Sequence, residues 1–177
     1  FSTKQGDGWP ELPMLHYLLA RTAYQAGAYP VAMQAIHSAL AAWPDESRWQ
    51  ELAAHIYLAQ DAAAGLPDRA QAIRHLDQAV TLEPERAASC LALGQLYLED
   101  GQLPRAIESL QQASQLDAAQ PKVWIALAQA QYAAGELDQA AMSAERAIEG
   151  NPDPAEALLL RGRIALQTNN PRGALSR

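Results

Sequence analysis

With 177 residues and a formal net charge of −7, the chain lacks the clustered basic face that nucleic acid requires. No apolar run approaches the ~20 residues of a membrane span, and a single cysteine excludes an intrachain disulfide while leaving the redox compartment open. Ala, Leu and Gln dominate and β-branched runs are absent, so the chain reads as all-α.

Residues 1–12, FSTKQGDGWPEL, hold two Gly and a Pro without helical periodicity and read as a linker or tag remnant. Phe1 reads as an internal residue of a longer protein. Pro13 suits the first turn of a helix, and Leu15, Leu18, Leu19, Ala23 and Ala26 follow at three- and four-residue steps, an amphipathic pattern. Gly27 ends that helix, Pro30 opens a second carrying Ala32, Ile36, Ala39 and Leu40, and Pro44 stops it. The first unit, about 13–45, is thus predicted to be a helical hairpin.

The second unit, 46–86, runs from Trp49, Leu52, Ala53 and Tyr57 to Ala72, Leu76, Ala79 and Pro84. Ala53 to Ala72 is 19 residues, whereas Gly94 to Ala106 and Ala128 to Ala140 are each 12. The excess is almost two turns at ~3.6 residues per turn. It predicts a taller hairpin, with the first helix extended to about Ala64, the second starting early near Pro67, and a projection near Asp61–Asp68. Units three (87–120) and four (121–154) follow, and a fifth (155–177) stops soon after Ala174, short of most of its second helix. Such an end is expected to leave Leu158, Leu160 and Ile164 uncovered and open to self-association.

Residues 87–120 set the pattern. A shift of 34 carries Gly94 onto Ala128, Gly101 onto Gly135, Ala106 onto Ala140 and Ala113 onto Ala147, and a further 34 reaches Gly162 and Ala174. Small residues returning at one interval mark close helix crossings. The chain resembles the tetratricopeptide repeats, whose signature is Trp-x2-Leu-Gly-x2-Tyr, then Ala-x3-Phe, a later Ala and a closing Pro. The third unit supplies Cys90-x2-Leu93-Gly94-x2-Tyr97, Ala106-x3-Leu110 and Ala113, with Cys90 for Trp and Ala118 where Pro is usual. The fourth has Trp124-x2-Leu127-Ala128, Tyr132 one step late, and Pro152, while His16 and Leu158 replace the Trp in the first and fifth. The resemblance implies a right-handed superhelical solenoid of antiparallel helix pairs whose first helices line a concave peptide-binding groove.

No catalytic or metal constellation stands out. His16, His37, His55 and His75 lie at least 18 residues apart, with no i,i+4 pair. Cys90 occupies the Trp slot and reads as a buried inert thiol. Neither a phosphate loop nor a nucleophile motif is present, so no enzyme activity and no cofactor is expected.

Register picks out the candidate groove. Three before each small residue stand Tyr17, Gln50, Leu91, Ile125 and Leu159, and one after stand Arg21, Ala54, Gln95, Gln129 and Arg163. At 100° per residue these face away from the core, and the first set is apolar where it should meet solvent. Tyr24, Tyr57 and Tyr132 lie one turn further on, with Leu98 in the same register. The chaperone-binding subset of the family grips terminal carboxylates with Lys, Asn and Arg on this face. Here only Arg21 and Lys122 are basic at the matching places, which does not support that clamp. The expected function is a scaffold or adaptor that binds a protein or peptide. The alternative is a regulatory or spacer array acting in cis within a larger enzyme, such as a kinase or glycosyltransferase.

Overall fold

The computed structural model describes residues 12–64, 68–149 and 151–168, with the backbone alone for 61–64. The sequence-predicted leader falls outside the described residues except for Leu12, which opens the first helix. The described residues are helical or in turns, in an all-α helical-repeat solenoid. Two compact units divide at Pro84 and Glu85.

The first unit contains α1 (Leu12–Gln25), α2 (Tyr29–Ala42), α3 (Ser47–Ala64) and α4 (Arg69–Leu82). Its core is built from small residues at the helix crossings: Ala20, Ala32, Ala39 and Ala53 are fully buried, and Ile36, Trp49 and Ile56 fill the space around them. The second unit contains α5 (Ala87–Glu99), α6 (Leu103–Leu116), α7 (Pro121–Ala134), α8 (Leu137–Ile148) and α9 (Ala155–Thr168). There the same logic repeats with Ala128, Ala140 and Ala144 between α7 and α8.

The hairpin turns are built alike. Gly27, Gly101 and Gly135 have φ of 73°, 74° and 80°, a left-handed conformation that carries no steric penalty only for glycine. Just past each, an N–H returns to the preceding helix: Ala28 to the Ala23 carbonyl (2.9 Å), Gln102 to Tyr97 (2.8 Å) and Glu136 to Gln131 (2.9 Å). These bonds satisfy helix-terminal carbonyls and fix the reversal.

The second hairpin is taller on one side only. Helix α3 has 18 residues against 14 in α1 and 13 in α5, a gain of about one turn, and it ends at Ala64 as expected. Helix α4 does not start early. It begins at Arg69 and has the 14 residues of α2 and α6, with Asp68 as its N-cap accepting from the Gln71 N–H at 3.1 Å. The surplus lies in α3 and the connection to Asp68; of the projection, 65–67 lie outside the described residues.

Two predicted faces are corrected. On α1 the buried residues are Pro13, Ala20 and Ala23, while Leu15, Leu18 and Leu19 are exposed. In α7 the equivalent side, Val123, Ala126 and Ala130, is buried, and α7 packs against the preceding helix α6. Among the described residues no helix precedes α1 to cover these leucines. On α9, Leu160 and Ile164 need no further helix. Both are buried in the cluster of Ala128, Ala140 and Ala144, and the exposed residues are Leu158, Leu159 and Leu166.

Candidate functional site

The first helices of the second unit lie side by side, α5 against α7 and α7 against α9. Leu91, Ile125 and Leu159 stand at one register on them. Leu91 and Ile125 are half-buried and Leu159 is 67% exposed. Beside them Gln95 and Arg163 are exposed, and Leu98 is half-buried. Gln129 is already committed, its Nε2 donating to Glu156 Oε1 at 3.1 Å. Tyr132 packs against the core cluster of α7, α8 and α9.

In the first unit the expected line is broken. Gln50, expected to face solvent, is only 4% exposed. Its Nε2 donates to the Pro44 carbonyl at 2.7 Å, and its Oε1 accepts from His75 Nδ1 at 2.7 Å. A proline carbonyl can only accept, so the amide orientation is fixed, and with it the Nδ1–H tautomer of neutral His75. Tyr57 turns to the second helices rather than outward. It stacks on His75 at 5.4 Å, and its hydroxyl shares a hydrogen bond with His37 Nε2 at 3.0 Å. Ala54 is fully buried. Tyr17 is half-buried and stacked on Trp49 at 5.3 Å, with the Arg21 guanidinium carbon 5.9 Å from its ring centre. Tyr24 contacts Tyr29 at 6.1 Å and packs on the core. Register along one helix carries no sign of this network, because Pro44, His75 and His37 lie on other elements.

The His75 environment carries a pH dependence. Burial, then His37 and Arg74, push its pKa below the ordinary 6.5. The folded chain therefore takes up this proton less readily than the unfolded chain. This contribution is fully present above about pH 6.5 and is lost as the pH falls below it, until the folded imidazole also protonates. Urea melts at pH 8 and pH 5 should show a loss of stability on acidification that shrinks in His75→Phe. An equal loss in the variant would place the titration elsewhere.

Cys90 is buried, and burial raises its thiol pKa, which disfavours the reactive thiolate. Among the described residues no group of three or more His, Cys, Asp or Glu side chains is placed to hold a metal, and no helix is long and apolar enough to cross a membrane.

Two family models, both described as tetratricopeptide repeat, match the chain, one over residues 62–130 and 97–142 and the other over 125–176. The chain belongs to the tetratricopeptide-repeat family. Solved structures agree with the tetratricopeptide-repeat fold. A thermophilic TPR protein of Thermus thermophilus is 28% identical with a TM-score of 0.63, over 90% of this chain and 83% of that one. MamA of Desulfovibrio magneticus is 13% identical with a TM-score of 0.80, over 94% and 91%. The first TPR of Spaghetti (RPAP3), solved with an HSP90 peptide, is 17% identical with a TM-score of 0.63, over 70% and 94%. No curated protein sequence matches. A tetratricopeptide-repeat array is in general a protein-interaction scaffold and not a catalytic fold, and protein partners follow from that assignment.

Proposed function

We propose that the first-helix face of the second unit binds a protein segment with spaced apolar anchors. The observation that carries this reading is the line of Leu91, Ile125 and Leu159 on three adjacent helices, left partly or largely open beside exposed Gln95 and Arg163. Residues at one register on neighbouring helices suit a ligand that runs across them, its side chains seated on the leucines and its amides bonded to the glutamine. A highly charged ligand fits poorly, because its charges would lose hydration against Leu and Ile with Arg163 as the one cation of the line. The Spaghetti repeat, solved with a peptide, supports peptide binding as a mode open to this fold. In the first unit, Gln50 and Tyr57 act as internal struts. Nucleic acid is not an expected partner of so acidic a chain.

Panning a random dodecapeptide library against the intact chain tests the proposal. Enriched peptides should carry two or more apolar residues. Leu159→Asp combined with Leu91→Gln should weaken them at least about tenfold, the loss of one buried anchor or more, with the helical circular dichroism kept. Peptides that bind the double variant as tightly as the parent chain would move the binding face elsewhere.

A further inference from the structure

The second unit has a concavity on the side of its second helices. A cleft of about 470 Å³ opens between α6 and α8, with α7 as its floor. Ligand sites are typically ~300–1,000 Å³, mostly apolar, with a few placed polar groups. The apolar part here is Leu127 in the floor, the half-buried face of Trp124, and Met142, which is 71% exposed. An unbranched, polarisable thioether at such a rim adapts to varied partners.

The inner polar groups of the cleft are already engaged. Gln131 is buried, its Oε1 accepting from Ser143 Oγ at 2.7 Å and its Nε2 donating to Gln139 Oε1 at 3.4 Å. The Trp124 indole N–H donates to the Ala118 carbonyl at 2.8 Å. Arg146 is different: its guanidinium carbon lies 5.8 Å from the centre of the Trp124 ring, and among the described residues it is the single charged one lining the cleft. Glu145 beside it pairs with Arg161 at 2.8 Å instead. The result is a cation stacked on an aromatic wall, over a neutral, internally satisfied floor, in a chain of net charge −7.

We infer that this cleft is a second binding site, for a protein segment in which a carboxylate neighbours an aromatic or large aliphatic side chain. The apolar side chain sits against Trp124, Leu127 and Met142, and the carboxylate pairs with Arg146, whose fork is held in place by the indole. A polar segment without an apolar side chain gains little from Trp124 and Met142, and a basic one meets Arg146. The site uses residues apart from the line on the first helices, so each can fail without the other.

The test uses three probes on the intact chain: acetyl-Phe-Asp-amide, acetyl-Phe-Asn-amide and acetyl-Gly-Asp-amide. Binding is followed by the shift of the Trp124 indole N–H signal, assigned by its loss in Trp124→Phe. Fragments of this size bind with dissociation constants on the order of 1 mM. The Phe-Asp probe should saturate the shift and bind about fivefold tighter than Phe-Asn, the upper range for an exposed ion pair. The Gly-Asp probe should bind weakest. In Arg146→Gln the Asp-over-Asn preference should fall to about one with Phe binding retained, and Arg146→Lys should keep part of it. Equal affinity for Phe-Asp and Phe-Asn in the parent chain would overturn the assignment. So would an unmoved Trp124 signal at about 10 mM probe, or a preference that survives Arg146→Gln.

Discussion

Trp49→Ala is expected to destabilise the first unit by about 3–5 kcal/mol, the range for removing a buried tryptophan. Trp49 is 2% exposed and is the middle of an aromatic stack, 5.3 Å from Tyr17 and 5.5 Å from Trp43, with interplanar angles of 12° and 20°. Truncation removes its own buried area and both ring contacts, each worth about 0.5–1.5 kcal/mol beyond area. It also leaves a void between helices that Tyr17 and Trp43 cannot both fill. Trp49→Phe should recover part of the loss. Urea melts followed by circular dichroism measure both, and a change under about 1 kcal/mol for the alanine variant would show that the stack contributes little to this core.

Gly94→Leu is the next largest, with an expected cost of at least ~1–3 kcal/mol for overpacking. A Cβ built on Gly94 would lie 2.5 Å from Leu110 Cγ, 2.9 Å from Leu110 Cδ2 and 3.3 Å from the Ala106 carbonyl oxygen. Leu110 would have to shift, and the α6 backbone at Ala106 to give way, before the rest of a leucine side chain is placed. Gly162 stands at the same place in its repeat, 68 residues on, and an added Cβ there meets nothing within 4 Å. Gly162→Ala should therefore show only the gain in helix propensity, up to ~1 kcal/mol. Leu110→Ala in a Gly94→Ala background should cost less than the sum of the two single changes, since the new methyl occupies part of the vacated space. Equal melting midpoints for Gly94→Leu and the parent would refute a close crossing at this position.

The hairpins and the small residues at their crossings were legible in the sequence, because each follows from a local period. Gly94 could be assigned to a contact and Gly27 to a reversal without knowing any neighbour, whereas Gly101 and Gly135, grouped with the crossing residues by their spacing, are reversals with positive φ. Residues whose setting depends on another helix were not legible. Leu15 and Val123 hold equivalent positions, yet one is exposed and the other buried according to what lies beside them. Gln50 and Leu91 also share a register, but the Pro44 carbonyl and His75 draw the glutamine inward. The Trp124 cleft needs three helices at once, and no spacing rule joins Gln131, Ser143 and Arg146.

The packing of each unit runs chiefly between helices that follow one another in sequence, with α1–α3, α5–α7 and α7–α9 as the steps past a neighbour. The three glycine reversals span only a few residues, so closing each hairpin costs little chain entropy. Such short-range topology favours rapid folding. During synthesis a hairpin can form once roughly a repeat's length of chain has emerged, before the next is made. Damage should stay equally local: a lesion in one hairpin lowers the stability of that hairpin and its immediate contacts, and distant helices keep theirs.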